Sequence, residues 1–499
     1  MTTDPTPPAD HPGLAIDQQV VRVQATLAQG QAMVKAQRWA EAAALFHQVL
    51  AARPGHFEAL HMLGAVALNT KQFVEALAWI EKSLEVNPTS AVAYSNRGNA
   101  FKSLKQAQAA LDSYNKAIAL KPDYADAYYN RAATQKELQQ FDAALESYDR
   151  AIALKPDFAE AHYNRGNLLR DTRRPEAAIA SYEKSMALKP GYTVPNLNLG
   201  LCHLQLGHFE QGWDKYEWRR NENAFRDFPQ PRWTGAESLA GKTILLHSEQ
   251  GLGDTIQFSR YATLVSKLGA RVVLDVQEPL MGLMAGLEGV ELLVAKGGAL
   301  PPFDFHCPLL SLPRAFKTTL QNLPSADGYL APRPEKVTQW QARLGPRTKP
   351  RVGLVWSGSA GHKNDHNRSI LLSELLKKLP GNCQYISLQK ETRPADQECL
   401  NRHPEILQLG QEITDFTDTA ALCELVDVVV SADTSVVHLA GATGRPVWVL
   451  LPFNPDWRWL LERSDSPWYD SATLYRQSCM GDWREVFDKV GADLARLTS

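Results

Sequence analysis

Three loops in the C-terminal half carry the residues best placed for chemistry. The first, His247-Ser-Glu-Gln250-Gly251-Leu-Gly253-Asp254-Thr-Ile-Gln-Phe258, leaves an apolar run and opens a helical pattern. Two glycines let such a backbone turn tightly and approach a ligand. The third glycine of a dinucleotide fingerprint is missing, since Ile256 stands there, and only Asp275 could serve as its acidic partner, so a nicotinamide cofactor is disfavoured. Asp254 has two readings: a carboxylate that takes a proton from a substrate hydroxyl, or a cap for its own helix. Gln250, Gly251 and Gly253 are the expected acceptor-side contacts of this loop.

The second loop, Trp356-Ser357-Gly358-Ser-Ala-Gly-His-Lys363-Asn-Asp-His-Asn-Arg368-Ser369, follows another apolar run. Small residues expose backbone N–H groups, and Lys363 and Arg368 add positive charge, a combination suited to a diphosphate; a solvated basic loop is the alternative. The third, Ser431-Ala-Asp433-Thr434-Ser435-Val-Val-His438, joins a strand to a helix whose N-terminus can receive an anion. His438 reads either as a phosphate or ribose contact or as a satisfied core residue. Gln389 and Lys390, just past another strand, could extend the anion site, although Lys390 alone also reads as surface. In Pro455-Asp-Trp457-Arg458-Trp459 the tryptophans suit core packing more than stacking on a base or sugar.

These loops need strands and helices to hold them. Apolar runs at Thr243–His247, 271–275, 351–356, 385–388, 426–430 and Val447–Leu451 alternate with helical stretches, which argues for parallel sheets with crossover helices. A Pro-containing stretch at 332–350 separates two sets, so the expected fold is two Rossmann-like lobes at 227–340 (acceptor side) and 341–499 (donor side).

Upstream, prolines recur every 34 residues at Pro54, Pro88, Pro122, Pro156 and Pro190, the tetratricopeptide period. Gly64, Gly98, Ala132, Gly166 and Gly200 recur in register, as do Ala42, Ala76, Ala110, Ala144 and Ala178. Bulky Phe46, Ile80, Tyr114, Tyr148 and Tyr182 follow these alanines by four, on the same helical face. An α-solenoid is therefore expected over 23–226, with five repeats to about 192 and a sixth, from Thr193 through Trp213, Tyr216 and Trp218, capping the stack. Asn96, Asn130, Asn164 and Asn198 share one repeat position; Ala28 and Met62 replace them in the first two repeats. Such amides either bond an extended peptide in the groove or bond locally between helices.

The Asn-bearing repeats, in strings such as AYSNRGNAFKSL, resemble those of O-GlcNAc transferase, which implies an asparagine ladder binding the backbone of an acceptor protein. The three loops resemble the lipopolysaccharide heptosyltransferases over 241 to about 476, implying a GT-B fold. That resemblance makes Asp254 the general base and gives Asp433, Thr434, His438, Ala440 and Pro446 to the donor diphosphate, with Lys363 as its basic partner. One departure is that Thr255-Ile-Gln-Phe-Ser-Arg260-Tyr261 follows the Gly-Asp pair where that family has a proline nearby. Solenoid and transferase together are most similar to the repeat-containing bacterial flagellin glycosyltransferases. The implied function is inverting transfer from a nucleotide-sugar to Ser or Thr of a polypeptide, with no cofactor and no metal, in keeping with the lack of an Asp-x-Asp pair in this domain. A heptosyltransferase-like enzyme of surface polysaccharide synthesis and a non-catalytic interaction scaffold are the competing readings.

Composition fits a soluble protein without nucleic-acid partners. Lys plus Arg number 53 against 55 Asp plus Glu, so no charge excess favours a nucleic acid or an anionic membrane. Six scattered cysteines read as free thiols of a reducing compartment. The Pro-, Asp- and Thr-rich start reads as a disordered lead over 1–22 and not a signal peptide. No apolar run reaches the roughly 18 residues of a membrane span. The expected location is the cytoplasm.

Overall fold

The computed structural model describes residues 12–221, 226–324, 328–359, 361 and 364–497. The chain divides into two compact units, one holding residues up to Thr172 with Ala180–Tyr192, the other holding Arg173–Ile179 and Thr193–Ser499.

In the first unit the helices pair across short turns: Pro12–Lys35 with Trp39–Ala52, Phe57–Asn69 with Phe73–Val86, Ala91–Ser103 with Ala107–Leu120, and Ala125–Glu137 with Phe141–Leu154. A fifth pair is begun by Ala159–Asp171. The small and large positions read from the period explain the pairing. A Cβ added to Gly98 would lie 2.5 Å from the Tyr114 ring, and one on Gly166 would lie 2.6 Å from Tyr182. Ala42, Ala76, Ala110, Ala144 and Ala178 are completely buried, as are Phe46, Ile80, Tyr114 and Tyr182. Each such large side chain contributes about 1.5–3 kcal/mol by burial.

The turn inside each pair was not legible from glycine. Gln37, Lys71, Lys105, Gln139 and Arg173 all adopt left-handed backbone, with φ of 57–62°. Each costs of the order of 1 kcal/mol, a strain the flanking helices hold in place. The disordered lead expected over 1–22 is corrected in part: the backbone is helical from Pro12. Proline is tolerated at a helix start, and Val23 and Leu27, buried in the first core, anchor the turns that follow. The remainder of that expectation, residues 1–11, lies outside the described residues.

The second unit contains two parallel sheets. The first has order β3-β2-β1-β4, with β1 Thr243–His247, β2 Arg271–Val276, β3 Val290–Ala295 and β4 Phe305–Pro308. The second has order β10-β9-β8-β5-β6-β7, with β5 Arg351–Val355, β6 Gln384–Ser387, β7 Leu407–Gln408, β8 Val428–Ala432, β9 Val447–Leu451 and β10 Ala472–Arg476. The architecture is therefore a helical repeat solenoid followed by an α/β domain with two parallel sheets. Six strands fall within two residues of their expected positions. Helix Pro334–Leu344 belongs with the second lobe, because Trp340 Nε1 donates to Asp418 Oδ1 at 2.9 Å on helix Phe416–Leu425. The expected lobe boundary after 340 cuts that helix.

The sixth helix pair, Pro195–Gln205 with Phe209–Tyr216, lies wholly in the second unit. Phe209, Trp213 and Tyr216 share one buried cluster with Trp457 and Trp468, and Trp213 Nε1 donates to the Thr318 carbonyl at 2.8 Å. The aromatic face that reads as a cap is thus core of the α/β unit, which begins near Thr193. Cys202, Cys307, Cys383, Cys399 and Cys423 are buried and Cys479 exposed, all as free thiols. No helix among the described residues is long and apolar enough to cross a membrane.

Candidate functional site

Strand order locates a candidate site. In the second sheet β5-β6-β7 run one way from β5 and β8-β9-β10 the other, so the order reverses between β5 and β8. In open parallel sheets that reversal opens a crevice at the carboxyl ends of the strands. The loops after β5 and β8 carry Ser357, Gly358 and Arg368 on one side and Asp433, Thr434 and Ser435 on the other. Arg368 Nη1 joins them by donating to the Asp433 carbonyl at 2.9 Å. A Cβ on Gly358 would lie 2.7 Å from Arg368 Cζ, so glycine makes room for the guanidinium. Ser357 Oγ and Arg368 Nε are buried without a hydrogen-bond partner among the described residues. Ser357 Oγ is thus an open donor that a bound anion would satisfy, whereas Arg368 Nε faces the Asp365 carboxylate, Oδ1 lying 3.6 Å away. Arg393, which the sequence reading overlooked, pairs with Asp365 and donates to Ser369 Oγ at 3.2 Å, bracing the same loop.

Thr434 caps helix Ser435–Ala442, its Oγ1 accepting from Val436 N–H at 3.3 Å. Asp433 precedes the cap, and burial, with Asp456 adding to it, raises its carboxyl from 3.8 to about 6. His438 is buried, its Nδ1 lies 3.0 Å from Tyr469 Oη, and its ring stacks on Trp459 at 5.6 Å. Burial and the nearby Arg458, Arg260 and Arg368 push the imidazole well below its ordinary value, so it is neutral. The core reading describes His438, a buried and hydrogen-bonded residue that borders the crevice.

The first lobe reaches the crevice through helix Leu252–Phe258, whose N-cap is Gly251. A Cβ on Gly253 would lie 2.7 Å from His438 Cδ2 and 3.3 Å from Ser435 Cα. Glycine there lets the N-terminal turns of the two helices touch. Asp254 does cap its helix, Oδ2 accepting from Gly251 N–H at 2.8 Å. Its Oδ1 pairs with Arg458, which sequence reasoning also missed. The carbonyl of half-buried Gln250 accepts from Gln277 Nε2 at 3.0 Å. Asp275 is buried, bonded to Ser248 and to Arg226, with an Arg226 Nη1 distance of 2.8 Å. That leaves it unsuited to reading a ribose.

Other expected residues fall away from the crevice or serve it indirectly. The Gln389 amide is spent on the loop: Nε2 donates to the Ser357 carbonyl at 3.0 Å and Oε1 accepts from Ser357 N–H at 3.2 Å. Its role is to hold Ser357 in place. Lys390 is exposed and donates to the Thr414 carbonyl at 2.8 Å, in keeping with a surface residue. Lys363 lies outside the described residues. Trp457 and Trp459 are buried, so core packing describes them. Arg458 could have been found by the rule that singled out the other loops, since it follows β9 at the carboxyl edge of the sheet.

In the first unit the asparagines divide. Asn96 Nδ2 lies 2.9 Å from His61 Nε2, and Asn164 Nδ2 donates to Tyr129 Oη at 2.8 Å, each partner lying in the preceding repeat. Local bonding thus describes these two. The Asn130 amide has no hydrogen-bond partner among the described residues. Asn198 lies in the second unit.

Comparison with known proteins bears on the first unit most directly. Tetratricopeptide-repeat families match at residues 33–95, 98–139, 136–172 and 159–192. Residues 33–192 are tetratricopeptide repeats. Such repeats are protein-interaction elements. Protein FlbA of Caulobacter vibrioides is 29% identical over 325 residues, covering 58% of this chain and 53% of FlbA. The chain thus spans about half the length of this curated relative. Among solved structures, MamA is similar at 28% identity over 32% of this chain and 95% of MamA, with a TM-score of 0.30. A tetratricopeptide-repeat protein of Thermus thermophilus is similar at 23% identity over 36% of this chain and 99% of its own, with a TM-score of 0.33.

Proposed function

We propose that this chain transfers a sugar from a nucleotide-sugar donor to a Ser or Thr hydroxyl of a polypeptide bound by the repeats, with flagellin as the acceptor to test first. The observation that carries the reading is the Gly253 contact, which sets the turn bearing Asp254 against the N-terminus of helix Ser435–Ala442. A proton acceptor and an anion-binding helix end then border one crevice. In the proposed step the hydroxyl oxygen bonds to the anomeric carbon as its proton passes to Asp254. The anomeric carbon–phosphate oxygen bond breaks, and its electron pair leaves with the nucleotide. Ser357 Oγ, Arg368 and the helix N-terminus would meet the charge on the leaving phosphate.

A second reading is a binding scaffold in which Asp254 is only structural, favoured by the engagement of both its oxygens. Each oxygen nevertheless keeps a lone pair beyond its bond to Gly251 N–H or to Arg458. The two readings separate on incubation of purified chain and unglycosylated flagellin with UDP-N-acetylglucosamine, ADP-heptose or a CMP-linked nonulosonic acid, followed by intact-mass analysis. A sugar-sized gain that Asp254→Asn slows by about 10²- to 10⁴-fold supports transfer; no gain with any donor supports the scaffold.

A further inference from the structure

Arg458 sits on the turn Trp457–Trp459 after β9, with its side chain 7% exposed. All three nitrogens of its guanidinium are engaged. Nη2 pairs with Asp254 Oδ1, Nη1 with Asp456 Oδ1 at 2.8 Å, and Nε donates to Gln257 Oε1 at 2.6 Å. The group lies 4.4 Å from the Trp457 ring and 5.6 Å from the Phe258 ring. Asp254, Gln257 and Phe258 belong to the first-lobe helix, whereas Arg458 belongs to the second lobe. Burial works against its charge, yet Asp456 and Asp254 more than offset this and keep it protonated. Trp457 is itself held, 5.2 Å from Trp213 and 5.8 Å from Tyr216 of the sixth helix pair.

We propose that Arg458 is a positioning residue for sugar transfer, an inference that rests on the transferase reading above. It grips Asp254 by Oδ1 while Gly251 N–H grips Oδ2. The carboxylate therefore faces the acceptor hydroxyl in one orientation, and only while the second lobe is docked on the first. Arg458 forms and breaks no bond in the step; the proton still passes from the hydroxyl to Asp254, and the electron pair of the broken bond still leaves on phosphate. Three divergent partners in fixed directions suit a planar guanidinium, and a lysine ammonium cannot reproduce them all.

The test uses the full chain, flagellin and whichever of the three donors named above the wild type accepts. Arg458→Gln should lower kcat about 10²-fold, the cost of a misplaced reacting group. Donor KM should stay within about 3-fold, because uniform ground-state binding is not what is removed. Arg458→Lys should restore part of kcat. In an Asp254→Asn background, Arg458→Gln should cost nothing further, because it acts through the carboxylate. Near-UV circular dichroism checks folding, and Arg458→Lys carries the comparison if the glutamine variant does not fold. An unchanged kcat in both variants, or a full additional loss in the Asp254→Asn background, overturns the proposal while leaving the transferase intact. A wild type that transfers none of the three sugars overturns the transferase reading, and this proposal with it.

Discussion

Gly253 and His438 stand so close that a single methyl group on Gly253 would come within 2.7 Å of His438 Cδ2. Because the neighbouring contact is Ser435 backbone, Gly253→Ala has to move one helix away from the other. We expect it to lower transfer by at least about 10²-fold, the cost of a misplaced reacting group, with a small shift in melting temperature. Paired activity and calorimetry measurements check this. An alanine variant of full activity would mean that the contact positions nothing.

Gly358 makes a comparable close approach, but to the end of a flexible side chain. A Cβ there displaces the Arg368 guanidinium from the Asp433 carbonyl. Gly358→Ala should therefore weaken nucleotide binding by about 10-fold, the loss of one hydrogen bond to a charged group at roughly 1.5 kcal/mol. Calorimetric titration with UDP, ADP and CMP measures it, and unaltered affinity for any nucleotide that binds the wild type would place the phosphate elsewhere.

Asp433 gives a pH dependence with a definite sign. Burial, with Asp456 adding to it, raises its carboxyl from 3.8 to about 6. A carboxyl raised by folding holds its proton more tightly in the folded state, so that contribution is complete below the unfolded value and is lost as pH rises through about 6. Asp433→Asn stays neutral throughout. Its unfolding free energy should match that of the wild type near pH 4 and exceed it above about pH 7, by a margin on the order of 2–3 kcal/mol, read by denaturant titration at the two pH values. A variant destabilised at both pH values would show instead that the ionised carboxylate is well satisfied.

Much of this was open to sequence reasoning because periodicity encodes burial. The proline ladder and the small and bulky positions led to the helix pairs, and β1 and β9 lie where their apolar runs do. The shortfalls have physical causes. β3 carries Glu291 and exposed Leu292, β4 ends in Pro308, and β7 is only two residues long, so none presents a continuous apolar run. Left-handed turns at Lys71 and Lys105 leave no glycine to mark them. Arg393 acts through a contact with a loop 28 residues away, which spacing along the chain does not register, whereas Arg458 follows a strand end and was open to the same rule as the other loops. The last repeat read as a cap because its aromatic face looks alike whether it ends a solenoid or packs on another fold.

The asparagines separate two roles that share one repeat position. Asn96 is bonded to His61, whose ring burial keeps neutral, so Asn96→Ala should cost about 1 kcal/mol of stability. Asn130→Ala should leave the melting temperature nearly unchanged and weaken capture of the acceptor polypeptide. Thermal melts and flagellin binding by surface plasmon resonance read the two effects. Equal loss of binding in both variants with no change in stability would assign both amides to the ligand.

The central claim is sugar transfer to protein with Asp254 as the base, and intact-mass analysis of flagellin and other abundant proteins from the native host tests it most directly. Strains carrying the wild-type chain and Asp254→Asn are compared, with the variant shown to be folded. The account predicts a sugar-sized mass on a protein in the wild type that the variant lacks. Identical masses on every protein in the two strains would contradict it.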